Sequence, residues 1–261
     1  MRLVANLHTL IWGTESWDVS VYRDSSSVIA DGPRRGMSLS EVLPDFPLLV
    51  KVIDVRRRNS VQVHPNARTA LVTGGEPKTE MWCVLEPGPI YAGLRPGTTA
   101  DDVRAAVASG SFENLLVRHD AKRFDTFFIP GGLVHAFGDG VKVYEVQQSS
   151  DTTFRLYDWG RKGADGRPRE LHVEKSMQTI DFSLPVPVAQ RDVHCEFFDF
   201  VQREHDADAE VAAPADSFMI VYEVASGAST LLEPGERMTV EPGRVFLTTL
   251  PRCGAGTGNM I

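Results

Sequence analysis

Four short stretches carry side chains whose types and spacing suit chemistry. In "NSVQVHPN" (59–66), Gln62 and His64 stand two apart, so on a strand both point to one face while Val61 and Val63 take the other. Two neutral ligand groups on one face can be aimed into a barrel; the same pattern also fits an exposed amphipathic strand. In "EPKTEMWCVLE" (76–86), Lys78 and Glu80 share a face at a strand start. That carboxylate can join a metal site and the lysine can meet an anion, or the two can be a solvated pair. In "FIPGGLVHAF" (128–137), His135 enters an apolar stretch just after a Pro-Gly-Gly turn. Read alone, such a histidine is more often structural than a ligand. In "YEVQQSSDTTFRLYDWGR" (144–161), Glu145, Ser149, Ser150, Asp151, Arg155, Asp158 and Arg161 crowd a short segment. Such polar density between apolar strands marks either a lined pocket or a polar hairpin loop.

The elements that would position these groups are mostly strands. "LLVKVIDV" (48–55), "SVQVHP" (60–65), "MWCVLE" (81–86), "TFFIP" (126–130), "VKVYEVQQ" (141–148) and "TFRLYDW" (153–159) are short and rich in β-branched and aromatic residues. Breakers such as "TGGEP", "EPGP" and "GDG" separate them, the texture of a sandwich or barrel. Helix is expected over 98–119, where threonine caps and early acids precede Val103, Ala106 and Val107 at helical spacing; Gly110 breaks it, and "SFENLLV" reads as a second short helical turn. A weaker helix is expected over 39–46, capped by Ser40 and ended by Pro44. "SLPVPVAQR" reads as a connection, which divides the chain into 1–182, a linker at 183–192, and a second β-rich region at 193–261.

Composition bounds the classes. The 261 residues carry a formal net charge of -8, which disfavours nonspecific nucleic-acid binding. No apolar run reaches the ~20 residues of a membrane helix. The N-terminus lacks the pattern of a signal peptide, so a cytoplasmic protein without membrane or nucleic-acid partners is expected. Cys83, Cys195 and Cys253 are odd in number and widely spaced, unlike a disulfide framework or a CxxC zinc site.

Together the stretches acquire a meaning that none has alone. "PGGLVH" fits the second cupin motif, PxGxxH, and "QVH…E" fits a degenerate first motif with Gln in place of the first His. "SVQVHP", "KTE", "IPGGLVHA" and "QSSDTTFRLYDWGR", in that order, resemble the type I mannose-6-phosphate isomerases of the cupin superfamily. The likeness runs over roughly residues 10–182. It implies an all-β fold: a cupin-type jelly-roll barrel, a short helical insertion, and a smaller β-rich C-terminal barrel without metal ligands.

The resemblance further implies one zinc ion per chain held by Gln62, His64, Glu80 and His135. A Gln oxygen, two imidazoles and a carboxylate suit Zn²⁺, and a site with open positions is catalytic rather than structural. It places substrate-phosphate and active-site residues at Ser60, Lys78, Arg155 and Arg161, and an acid beside the metal at Glu145. The implied reaction interconverts mannose 6-phosphate and fructose 6-phosphate through a cis-enediol. Glu145 is the first candidate base, Lys78 the rival, and Arg155 the group that meets phosphate or enediolate. The partner is a small sugar phosphate and the protein a monomer or homodimer. Another metal-dependent cupin enzyme, or an inactive sugar-phosphate-binding cupin, is the alternative. The chain departs from the family in three ways: the large helical insertion of long members is missing, Phe124 stands where the cupin motif prefers Gly, and the C-terminal barrel is abbreviated, suited to packing or dimer formation.

Overall fold

Closely spaced short strands pair here into two facing antiparallel sheets. In the computed structural model, which describes residues 1–163 and 166–251, the first sheet has six strands. Their order is Thr126–Ile129, Glu80–Glu86, Lys142–Gln148, Leu48–Val55, Gly13–Val19 and Asn6–Leu10. The second runs Phe154–Tyr157, Val61–Val63, His135–Phe137, Gly88–Leu94 and Leu116–Ala121. Between them lies a core that includes Ile53, Trp82, Val84, Phe127, Phe137 and Val143. The chain is thus all-β, a cupin-type barrel with short helices attached.

The six-stranded sheet is buried on both faces. Trp82, Val84 and Val143 point into the barrel. Their neighbours Met81, Cys83, Tyr144 and Val146 point away, into a second core with Phe200, Ile220, Tyr222 and Phe246. "MWCVLE" is therefore a continuous apolar run rather than an alternating one. The second core is closed by a five-stranded sheet ordered Val193–His194, Asp199–His205, Gly243–Thr249, Met219–Glu223 and Ala228–Leu232. A two-stranded ribbon, Ala209–Ala212 with Arg237–Val240, covers the far face of that sheet over Val211, Val221, Val240 and Val245. Residues 183–192 run along the barrel edge, where Thr126 and Gln190 exchange backbone hydrogen bonds of 2.9 Å each. Cys83 and Cys195 are free thiols, and Cys253 lies outside the described residues. Among the described residues no helix is long and apolar enough to cross a membrane.

Two expectations about helices need correction. The helix in 98–119 spans only Ala100–Ser109. It opens on a Thr99–Asp102 capping box and closes on Gly110 at φ 72°. The expected second helical turn is present as a 3₁₀ turn at Phe112–Leu115, but Leu116–Ala121 is an edge strand, with Leu116 and Ala121 buried while Arg118 and Asp120 face water. The earlier helix is a single turn, Leu39–Val42, capped by Ser38 rather than Ser40. The Ser38 amide donates in turn to the carboxylate of its box partner Glu41 at 2.7 Å.

Phe124 keeps the conformation of the glycine it replaces. Its φ is 72°, in the left-handed region where a Cβ is strained. The ring points away from the barrel interior, against Phe246 at 6.2 Å and beneath the Arg244 guanidinium at 4.0 Å. Its carbonyl accepts from Gln202 Nε2 at 3.0 Å. The residue therefore fastens the barrel to the C-terminal sheet and leaves the wall of the polar pocket unaltered. Phe124→Ala loses the ring and keeps the strain, whereas Phe124→Gly loses the ring and relieves it. Urea denaturation should find the Gly variant about 1–2 kcal/mol more stable than the Ala variant; equal stabilities would show that the backbone there is unstrained.

Candidate metal centre and polar pocket

His64 lies just beyond the Val61–Val63 strand and His135 opens the His135–Phe137 strand; the strands are ladder neighbours. The Pro130–Gly132 turn sets their separation. A Cβ on Gly131 would meet the Pro65 carbonyl and the Asn66 nitrogen at 2.8 Å, so only glycine lets the turn touch the backbone after His64. Gly132 N then donates to the His64 carbonyl at 2.8 Å.

Each imidazole is oriented from behind. His64 Nδ1 is 2.8 Å from the Thr152 carbonyl, and His135 Nδ1 is 2.9 Å from that of Leu133. A carbonyl only accepts, so these contacts put the proton on Nδ1 and leave both Nε2 lone pairs bare. The two Nε2 atoms face each other at 3.1 Å. The Glu80 carboxylate closes the group, at 3.6 Å from His64 Nε2 and 3.4 Å from His135 Nε2. All three side chains are 1% exposed, and neither Glu80 oxygen has a hydrogen-bond partner.

Two opposed lone pairs beside an unsatisfied buried carboxylate call for a cation. A proton does not serve near neutrality. Burial, with Lys78 nearby, pushes His64 well below its usual value, and burial takes His135 down to about 4. The Lys78 ammonium approaches Glu80 Oε2 and His64 Nε2, both at 3.4 Å, but leaves His135 without a cationic partner. The Gln62 amide stands over the group with its nitrogen 3.3 Å from His135 Nε2. Turning that amide by 180° offers the oxygen instead, a choice that rests on assignment of the amide. Two imidazole nitrogens, a carboxylate and an available amide oxygen fit a divalent metal such as zinc.

Beside this group opens a cavity of ≈ 300 Å³, lined among others by Gln62, Ser60, Lys78, Glu145 and Arg155. Its floor is a cross-strand row. Glu145 stands in register with Lys51 on one side and Trp82 on the other, and Gln147 with Glu80. Glu145 Oε2 accepts from Trp82 Nε1 at 2.9 Å, while Oε1 faces Lys51 Nζ at 3.6 Å without a hydrogen bond. Lys51 also meets Glu15 at 3.2 Å. Burial and the charge of Glu80 raise the Glu145 carboxyl to about 7. Lys51, despite its own burial, is held charged by Glu15 and Glu145.

The structure thus brings Gln62, His64, Glu80, His135, Lys78, Glu145, Ser60 and Arg155 to one end of the barrel. Arg161 does not line the cavity: its guanidinium is engaged by the Arg58 carbonyl and by Asp158, which it shares with the lining residue Arg169. Sequence reasoning passed over Lys51, Glu15, Asn59 and Arg169, which also line the cavity. Lys51 had a readable signal, a lone cation in the apolar run "LLVKVIDV". Arg169 follows a turn that pattern reading leaves unplaced.

The fold and this buried His–Glu–His group define a class: a cupin-type barrel with a candidate metal centre on its inner wall. Comparison with known proteins narrows it. No protein-family model matches the chain. Mannose-6-phosphate isomerase ManA of Bacillus subtilis (strain 168) is 37% identical over 185 residues, 64% of this chain and 58% of that protein. The match therefore spans less than two thirds of that relative's length. Mannose-6-phosphate isomerase of Streptococcus mutans serotype c is 34% identical over 216 residues, 70% of this chain and 68% of the relative. Among solved structures, mannose 6-phosphate isomerase from Bacillus subtilis superposes with a TM-score of 0.79 at 24% identity, covering 95% of this chain and 98% of that one. A mannose 6-phosphate isomerase bound with zinc and yttrium superposes with a TM-score of 0.67 at 15% identity, covering 95% and 98%. The chain belongs to the mannose-6-phosphate isomerase family.

Proposed function

We propose that the chain is a zinc-dependent aldose–ketose isomerase that interconverts mannose 6-phosphate and fructose 6-phosphate through a cis-enediol. One observation carries the reading: two unprotonated imidazole nitrogens 3.1 Å apart beside a fully buried carboxylate that has the Lys78 ammonium at 3.4 Å but no hydrogen bond, at the edge of a polar cavity. The substrate comes from the names of the relatives.

Zinc held by His64, His135, Glu80 and Gln62 would act as a Lewis acid toward sugar oxygens, worth several kcal/mol where negative charge develops. The rest falls to the chain. Glu145 moves the proton between C2 and C1 through Oε1, the oxygen that Trp82 leaves free. A carboxyl near 7 suits that exchange at neutral pH. Because Glu80 contributes to the rise, a cation on Glu80 brings Glu145 below 7. Trp82 and Lys51 fix the carboxylate plane. Lys78, next to the ligands, balances charge on the oxygen side and is the alternative base. Arg155 and Ser60 bind the phosphate end, which fixes the sugar for reaction. The apolar wall of Ile53, Trp12 and Phe137 limits water.

The test is a coupled isomerase assay on chelated and zinc-reloaded protein. Mannose 6-phosphate turnover should vanish on chelation and return with zinc. Turnover that survives complete metal removal overturns the reading. Metal binding without turnover of any hexose or pentose phosphate would favour the non-catalytic sugar-phosphate-binding alternative.

A further inference from the structure

The cavity gathers charges of both signs. It is lined by Lys51 with the acids Glu15, Glu145 and Asp151, and by the guanidiniums of Arg155 and Arg169. The arginine part is built. Asp158 is 5% exposed and stands behind the lining, where its two oxygens accept from Arg169 Nε at 2.8 Å and Nη2 at 2.6 Å. That bidentate grip fixes the guanidinium plane and leaves Nη1 for another partner. The same carboxylate also pairs with Arg161, so one acid stands behind two guanidiniums, Arg161 and Arg169. Arg155 donates Nη1 to the Glu170 carbonyl at 2.9 Å, while its Nε is buried without a partner among the described residues. Partial burial and the charge of Arg169 disfavour the charged form of Arg155, which is the mark of two guanidiniums held close together. An unpaired buried donor and two crowded cations are both relieved by an anion.

We infer that Arg155 and Arg169 form a two-guanidinium clamp for the phosphate dianion of the substrate, with Asp158 as the positioning residue for Arg169. Arg169 lies outside the residues that the family resemblance supplies. One fork satisfies a carboxylate monoanion; two forks match a tetrahedral dianion. The clamp also orients the sugar. Arg155 is in ladder register with Gln62, so phosphate at the arginines holds the sugar beside the candidate metal ligands. The inference rests on the sugar-phosphate reading above, and inorganic phosphate separates the two.

The experiment titrates inorganic phosphate into the metal-free full chain by calorimetry, and runs sugar-phosphate kinetics on the zinc-loaded protein. Arg169→Met should weaken phosphate binding about 10–100-fold, the usual effect of losing a charged hydrogen-bonding group. KM for mannose 6-phosphate should rise by a similar factor with kcat within about threefold, and acetate should not compete. Asp158→Asn should reproduce a weaker version of the KM effect, and Arg169→Lys should rescue part of it, since it restores charge without the fork. If Arg169→Met does not fold, Arg169→Lys carries the test through its loss of phosphate affinity. Unchanged phosphate affinity in a folded Arg169 variant overturns the clamp. Arg169-dependent phosphate binding without isomerase turnover sustains the clamp and sinks the functional reading instead.

Discussion

A His135→Ala protein is expected to lose stoichiometric zinc and to fall at least about 10³-fold in isomerase turnover, since the Lewis acid supplies several kcal/mol and each 1.36 kcal/mol is tenfold. The loss is large because the residue is preorganised. Leu133 holds its Nδ1 and so presents Nε2 bare, and Trp82 packs against the ring at a centroid distance of 5.2 Å. Alanine removes the ligand and leaves Glu80 with Lys78 and a single imidazole. The metal-free proteins should differ in a second way. The folded-state value for His135 is about 4, below the ~6.5 of an unfolded histidine. Between those values the unfolded chain binds the proton and the folded chain does not, so stability falls as pH drops from 6.5 toward 4. The raised carboxyl of Glu145 acts with the opposite sign over much of that window, so the histidine contribution is read as a difference: as pH falls, chelated wild type should lose stability relative to chelated His135→Ala. Metal analysis and urea denaturation at pH near 7 and near 5 check both effects. Full zinc occupancy in the variant would remove His135 from the ligand set.

The period of the pattern made part of this site legible. Gln62 and His64 share a face because strands alternate, and the Pro-Gly-Gly turn gave His135 a strand entry. What the pattern did not contain was the proton on each imidazole. That is set by the carbonyls of Leu133 and Thr152; Thr152 lies 88 residues from His64 in sequence. Lys51 was visible as a charge in an apolar run, but its partners Glu15 and Glu145 come from the two adjacent strands. The strand at Gly88–Leu94 was hidden because its glycine and proline read as a breaker. Gly88 is needed for close approach, since a Cβ there would meet the Val141 backbone nitrogen at 2.9 Å and its Cα at 2.8 Å. The short helix at Ala67–Thr73 was hidden by "HPNA", in which Asn66 is a cap satisfying Arg68 N and Thr69 N rather than a turn residue. Fold class survived these omissions because it depends on many short β-branched and aromatic runs separated by breakers. Site chemistry depends on a few long-range contacts.

Glu145→Gln isolates proton transfer from metal binding. Glutamine keeps the shape and can still accept from Trp82 through its amide oxygen, and Glu80, His64, His135 and Gln62 are untouched. Zinc content and KM should therefore stay close to wild type, while kcat falls about 10²–10⁴-fold, the usual contribution of a positioned general base. The substitution also removes one of two acids from Lys51, but Glu15 remains at 3.2 Å, so the folded state should tolerate it. pH dependence supplies the sharper sign. The base works ionised, so wild-type kcat/KM should rise with pH up to the Glu145 value. That value is about 7 with no metal on Glu80. With zinc on Glu80 the like-charge contribution is lost and the acidic limb moves below 7. In Glu145→Gln that limb should disappear from the residual rate. A variant that turns over normally with the limb intact would pass the role to Lys78, which lies 3.4 Å from both Glu80 and His64. Lys78→Met would then carry the full loss, because no other amine stands so close to the ligands among the described residues.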